Sequence, residues 1–350
     1  MKTSYELADY QLSGSKAVQV ATPVGITAIG SYLPPTKLTN DDFKLVNLPE
    51  AEKQLFVQKF GMRERRFAKQ ESLGEMGVKA AQNALDRYGI SPLDIDLVLV
   101  THSCKDMHRL TPPIANFIQT SIGASNACSF NIDNGFNGFL PTLFTAASYI
   151  GSGFYNTVLV VATEALLANE DCADFASLLI GDGAAAVVVQ RVNPGDGLLG
   201  FHFMSWECEK AATLRIDRGY SLLSQQYEIK PFMRIEPNSL EVDVPKLEKY
   251  LPFTVNMTLD KLNLTARDIN LSIFGQQYLE LNRTWANNLG INYELVHDTI
   301  AEYAAMKTAS IPVTIDHAVS CGKLNKGDLL LLADQGANWS FASAVIKWCL

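Results

Sequence analysis

A segment of this chain occurs twice. LDRYGISPLDIDL at 85–97 aligns without gaps on LDKLNLTARDINL at 259–271. Each copy closes a helix at a residue that tolerates a left-handed backbone, Gly89 or Asn263, and opens a buried strand six residues later. A fainter echo pairs Gly153 and the strand Val158 to Ala162 with Gly322 and the strand Leu329 to Ala333. Short apolar strands resemble one another by chance, so the gapless match carries more weight. Together they imply an internal duplication. Two βαβ-rich halves follow, 1–193 and 194–350, and the chain is of the α/β class.

The stretch 128–151, CSFNIDNGFNGFLPTLFTAASYIG, predicts a strand, a tight turn and a helix. The strand runs from Cys128 to Ile132, the turn is Asp133-Asn134-Gly135, and Leu140, Leu143, Phe144, Ala147 and Ile150 mark the apolar face of the helix. An elbow of this kind holds its tip residue at a helix N-terminus, where the dipole and unpaired N–H groups favour a thiolate or an oxyanion. Chemistry there needs Cys or Ser, and the chain has Phe136. The scaffold of a nucleophile is present without the nucleophile.

Elsewhere Val24 to Leu33 predicts a strand stopped by Pro34 and Pro35. Ser72 and Glu75 form a capping box for a helix bearing Ala80, Ala81, Ala84 and Leu85 and ending at Gly89. Ile95 to Thr101 predicts a strand buried on both faces. Residues 203–243 show no clean period and are expected to be irregular, either covering a pocket or lying as surface loop.

The 350 residues, 47% of them hydrophobic, suffice for a large core. A net charge of −8 and the absence of a basic stripe argue against nucleic acid as a partner, and a small acidic carrier protein would need a local basic patch to dock. Six cysteines without CxxC or CxxxxC spacing predict reduced thiols rather than a disulfide framework or a metal site. No run of about 18 apolar residues is present, so no membrane span is expected and the cytoplasm is the default compartment.

Five motifs then stand in order: Ile29-Gly-Ser-Tyr-Leu-Pro34, Phe60-Gly-Met-Arg-Glu-Arg65, Ile180-Gly-Asp-Gly-Ala184, Thr308-Ala-Ser-Ile-Pro312 and Ser340-Phe-Ala-Ser-Ala-Val345. By their order and spacing the chain resembles the β-ketoacyl synthase III family of the thiolase superfamily from about Gly25 onward. The resemblance implies a five-layered αβαβα thiolase-like fold from two duplicated halves, and a dimer joined through the strand that leads into the elbow. It also implies a Cys at the elbow, a His after a central strand of the second half and an Asn before Thr308. The Cys takes an acyl group from coenzyme A, while His and Asn stabilise charge during decarboxylative attack by a malonyl-carrier unit. The matching positions here are Phe136, Gln276 and Ala305. Leu55 and Asp174 stand where the family stacks the coenzyme A adenine between a ring and an arginine, and Gly336-Ala337-Asn338 replaces a glycine-rich oxyanion turn. Thr111 matches the residue that crosses the dimer interface to line the partner's acyl tunnel.

Each of these residues also has a plainer reading. Phe136 either plugs the tunnel or simply packs. Cys128 is expected to be a buried structural cysteine rather than a relocated nucleophile. His102, Cys104, Asp106 and His108 tempt one toward a new triad but are ordinary loop polar groups. Gly181-Asp182-Gly183 resembles a phosphate loop and is expected to be a turn feeding a strand. His317 beside Asp316 is expected to be solvated or partly packed, with no ligand role.

Three functional hypotheses follow. The first is a non-catalytic β-ketoacyl synthase III-like subunit, a pseudoenzyme, paired with an active homologue in fatty-acid, polyketide or other acyl biosynthesis. The second is a stand-alone acyltransferase or condensing enzyme working by direct transfer, with Gln276, Asn134 and Asn338 as its polar groups. The third is a homodimeric acyl-chain binder without enzymatic activity. Acyl carrier protein and acyl-coenzyme A are the further partners, and no bound cofactor or metal is expected.

Overall fold

The computed structural model describes residues 15–43, 46, 49–103, 112–169, 171–205, 212–235, 239–336 and 339–350. The duplication is visible in its strands. The first sheet holds β1 (Val24–Tyr32), β2 (Leu97–Thr101), β3 (Cys128–Asn131), β4 (Thr157–Glu164) and β5 (Gly183–Arg191), in the order β1-β5-β4-β2-β3. The second holds β6 (Gly197–Ser205), β7 (Leu271–Phe274), β8 (Leu329–Gln335) and β9 (Ser340–Lys347), in the order β6-β9-β8-β7. Read in chain order, both place first beside last, then the penultimate, then the second. Directions match as well: β1 to β5 and β5 to β4 are antiparallel and β4 to β2 parallel, as are β6 to β9, β9 to β8 and β8 to β7. Where the first sheet adds β3, the second has a single parallel bridge between Ser272 and Val296. One strand breaks the symmetry: Val18–Gln19 pairs with β6, outside the sheet that holds β1. Residue 193 lies in the turn between β5 and β6.

Helices complete the layers. α1 (Leu73–Tyr88) and α2 (Ile114–Ile122) cover the outer face of the first sheet, and α4 (Ser239–Leu262) with α5 (Leu279–Leu289) covers that of the second. Between the sheets lie α3 (Phe139–Gly151) and α6 (Ser310–Ser320), each touching both sheets. This is the expected αβαβα stack. Because both sheets are covered on both faces, β2 buries all five residues, with Leu97 and Leu99 facing the central helices and Val98 and Val100 facing α1 and α2. The expected capping box holds: Ser72 accepts from the Glu75 N–H, and α1 closes at Gly89 with φ of 65°. Asn263, at the matching point of the second half, has φ of 54°.

Residues 212–235 correct the expectation of an irregular stretch. Ala212–Ser221 and Gln226–Ile235 form an antiparallel ribbon. Leu214-Arg-Ile216-Asp217 and Tyr227-Glu-Ile229-Lys230 alternate apolar and polar residues, the period of a strand, although Leu223, Tyr227 and Ile229 stand exposed around the tip.

The small residues of α1 let it lie close to β1. A Cβ on Gly30 would stand 2.4 Å from the backbone nitrogen of Ala84, and Ala80, Ala81 and Ala84 are fully buried. Gly30→Ala is therefore expected to lower stability by about 1–3 kcal/mol in urea unfolding. Gly151→Ala, whose Cβ finds its nearest neighbour at 3.6 Å, is expected to leave stability unchanged or slightly raised.

Candidate functional site

The elbow forms where the sequence places it. After β3, the Asp133 side chain accepts from the Gly135 N–H at 3.1 Å, and Gly135 takes φ of 60°. Gly135–Asn137 make a short helical turn, and α3 starts two residues later with no side-chain cap. Gly138 must be glycine, because a Cβ there would lie 1.9 Å from the Thr101 hydroxyl. Asn137 is buried and fixes the turn to the second half, accepting from the Ser340 hydroxyl at 2.8 Å and donating to its carbonyl at 3.2 Å. Asn134, a suspected polar group, donates to the Asn137 side-chain oxygen at 2.6 Å. Its amide is thus engaged within the turn.

Phe136 sits at the tip, half-buried, with the Lys307 ammonium 5.0 Å from its ring centroid. The Lys307 Nζ also lies 3.4 Å from Gln277 Oε1. Sequence reasoning did not single out Lys307. Its signal was present all the same, a lone charge in the apolar run AAMKTAS directly after Ala305 and Met306.

Gln276 is buried, and both ends of its amide hold backbone: Nε2 donates to the Phe274 carbonyl at 2.6 Å and Oε1 accepts from the Thr299 N–H at 2.9 Å. It serves as a structural strut. Ala305 contributes only its backbone, donating to the Leu179 carbonyl and accepting from the Gly181 N–H, each at 3.1 Å. Gly181 has no room for a side chain, since a Cβ would meet the Tyr303 carbonyl oxygen at 2.1 Å. Both Ala304 and Lys307 adopt positive φ, 53° and 47°, a strained backbone for residues with a Cβ.

Two buried carboxyls border this region. Asp334, at the end of β8, has its Oδ1 on the Gln335 N–H and its Oδ2 without a hydrogen bond. Burial pushes its pKa well above the carboxylate range, against the smaller opposing pull of that N–H and of Lys307. Glu164 accepts from the Ser103 N–H at 2.8 Å and from its hydroxyl at 2.5 Å, and burial raises its pKa too. Thr308 joins this cluster to the elbow by donating to the Gly135 carbonyl at 3.2 Å.

Cys128 requires a correction. It is exposed, because β3 is the edge strand of its sheet and leaves one side of the ladder uncovered. It lies at the far end of β3 from the elbow. Asp174 caps the short helix Phe175–Leu179, and Leu55 lies exposed on the helix Glu50–Phe60. Asp182, in the expected turn, accepts from the backbone N–H groups of Ala68 and Leu167. Thr111, Asn338, Cys104, Asp106 and His108 lie outside the described residues. Among the described residues no group of three His, Cys, Asp or Glu side chains is placed to hold a metal ion, and no helix is long and apolar enough to cross a membrane.

Comparison with known proteins agrees with this architecture. Residues 130–206 match the family model of 3-oxoacyl-[acyl-carrier-protein] synthase III, and residues 259–348 match the model of its C-terminal part. The chain is 32% identical over 338 residues to the β-ketoacyl-[acyl-carrier-protein] synthase III of Synechocystis, covering 92% of this chain and 97% of that one. Among solved structures it is similar to 3-oxoacyl-[acyl-carrier-protein] synthase III from Aquifex aeolicus, with a TM-score of 0.81 and 26% identity over 93% of this chain and all of the other. It is also similar to the priming β-ketosynthase of the R1128 polyketide pathway, with a TM-score of 0.76 and 25% identity over 95% and 98% of the two chains. The fold is therefore the thiolase-type fold of these synthases.

The turn that clamps Ala305 has a measurable electrostatic cost. Burial pushes Asp182 up to about 7, above its unfolded value near 3.8. An acid whose pKa rises on folding favours the folded state fully below the unfolded value, and that contribution is lost as pH rises through the folded one. Asp182→Asn is expected to reduce the loss of unfolding free energy between pH 4 and 7, as read from urea titrations at each pH, whatever its effect on stability at pH 4.

Proposed function

This chain belongs to the 3-oxoacyl-[acyl-carrier-protein] synthase III family, and on that premise we propose that it is the non-catalytic partner of an active, cysteine-bearing homologue in fatty-acid, polyketide or related acyl biosynthesis. The observation that carries this reading is the phenyl ring at the elbow tip. A ring of carbon and hydrogen under an ammonium group can neither attack a thioester nor carry a proton. Gln276 and Ala305 support it further, the first engaged as a strut and the second offering only backbone. Removing a nucleophile alone forfeits most of such an enzyme's rate, and the remaining groups do not make up the loss.

A partner role also needs a surface. Among the described residues β3 pairs only with β2, leaving its other edge open, and Phe130 is exposed on it. Beside it Cys128 meets the Tyr155 hydroxyl, and Tyr155, Tyr149 and the exposed Phe154 form one aromatic patch. An open strand edge next to aromatic surface suits pairing with the same edge of a homologue. In this reading 1–193 and 194–350 are the duplicated halves, the pair works in the cytoplasm, and acyl carrier protein delivers its substrate to the active partner.

Co-expression with a homologue carrying Cys at its elbow is expected to give a heterodimer by native mass spectrometry, and the pair is expected to condense acyl groups while this chain alone gives no product. In that pair, Phe136→Ala should change turnover by less than about tenfold, whereas replacing the partner's elbow Cys should abolish it by about 10⁴-fold or more. Recovery of this chain only as a homodimer, or product formation by it alone, would sink the reading.

A further inference from the structure

At the far end of α6, away from the elbow, two histidines meet across a hydrogen bond. His297 Nε2 and His317 Nδ1 are 2.9 Å apart, the ring centroids 5.1 Å apart, and the ring planes 15° from parallel. A centroid separation so much longer than the nitrogen contact sets the rings edge to edge in nearly one plane, so the contact runs along the N–H direction. His297 is buried and His317 half-buried. The other nitrogen of His297, Nδ1, lies 3.4 Å from Lys323 Nζ. Tyr303 packs edge-on against His317, and the Cys321 sulfur lies over the His317 ring, 3.7 Å from both nitrogens. The nearby acids are turned elsewhere: Asp316 to Arg87 and Ser31, Asp298 to the Tyr293 hydroxyl, and Glu302 to Tyr303. The charges acting on His297 are those of Lys323 and His317, with no carboxylate among them.

The donors fix where each proton sits. An ammonium only donates, so Lys323 fills the lone pair of His297 Nδ1, and His297 carries its proton on Nε2. That N–H fills the lone pair of His317 Nδ1, which leaves the proton of His317 on Nε2. Both lone pairs are then taken. A further proton can enter only at His297 Nδ1, where it meets the ammonium, or at His317 Nδ1, where two N–H groups would face each other across 2.9 Å. Either way the row loses a hydrogen bond. The surroundings act in the same direction, since burial, with the charges of Lys323 and His317 adding to it, lowers His297 to about 4. A base whose pKa falls on folding favours the closed row fully above its unfolded value near 6.5, and that contribution is lost as pH falls through the folded one.

The row ties together segments that otherwise meet at few points. His297 follows Val296, which bridges to β7 at Ser272, while His317 belongs to α6 and Lys323 to the turn after it. Through Tyr303 the row also borders the short helix Ile300–Tyr303, which runs into the strained Ala304–Lys307 stretch, and that stretch brings Lys307 to Phe136. We propose that the row is an acid-sensitive latch, which holds 296–303 against α6 while each ring carries one proton, and which a further proton opens, loosening the stretch that sets Lys307 over the elbow.

The test follows amide hydrogen exchange of the full chain at pH 7 and pH 5, with rates corrected for the intrinsic effect of pH and referred to peptides from β2. Peptides spanning 296–307 are expected to lose protection by about tenfold or more at pH 5. His297→Gln supplies an amide that can turn either its oxygen or its N–H toward His317, so it tolerates the added proton. In that variant, checked for an unchanged melt at pH 7, the loss is expected to shrink to within about threefold. Ring titration of the unsubstituted chain by NMR gives a second readout, with His297 expected to stay neutral at pH 6. Titration of His297 in the ordinary histidine range, protection at 296–307 that merely follows β2, or a His297→Gln chain as pH-dependent as the unsubstituted one would overturn the proposal. The outcome is independent of whether the chain pairs with a homologue.

Discussion

The candidate site depends on one clamp between the two halves. The turn at Leu179 to Gly183 and the segment at Tyr303 to Met306 exchange backbone hydrogen bonds through Ala305, and Ile180 forms a parallel bridge with it. Gly181 and Gly183 lack side chains where the Tyr303 carbonyl and the Met306 sulfur come closest. The clamp in turn rests on Asp182, buried and bonded to two backbone N–H groups, and on Arg65, buried and donating to the Leu178 carbonyl. Burying such groups is unfavourable unless each finds partners; Asp182 has its two N–H donors and Arg65 bonds Leu178 and Asn40, while Arg65 Nε has none. With the clamp in place, Lys307 and Thr308 come to lie over the elbow, and Phe136 has a lid.

That lid changes the character of the site. The tip offers a ring facing an ammonium, an attraction worth about 1 kcal/mol. Burial pushes the nearby carboxyl of Asp334 toward the neutral acid. The groups around the tip hold structure. Glu164, Ser103 and Thr308 behind the elbow fit the same description, each bonded to a neighbour or to backbone.

Much of this could be read from residues alone, and the reason is local. Ser72 with Glu75, Gly89 and Asn263 announce helix ends through chemistry within a few positions, and the repeat around them announced two similar halves, which the matching strand orders of the two sheets bear out. The turn at Asp133 to Gly135 carried its own signature and placed Phe136 correctly at the tip. What escaped notice depended on distant partners. Lys307 matters because it crosses to Phe136, Gln276 because its amide reaches Thr299, and Cys128 is exposed because its strand happens to be the last in its sheet. His317 was expected to be solvated or partly packed beside Asp316 and is partly packed, but the rings it packs with, His297 and Tyr303, arrive from other segments. The ribbon at 212–235 carried a local signal as well, the alternation of Leu214, Ile216, Tyr227 and Ile229 with polar neighbours, and was still missed.

Val18–Gln19 pairs with β6 while the very next strand, β1, joins the other sheet. As the chain leaves the ribosome, that short strand must wait until Phe201 has been made. Severing the molecule between its halves would therefore strand a piece of one sheet on the wrong fragment. The two halves are stitched at the seam, and neither is a complete unit by itself.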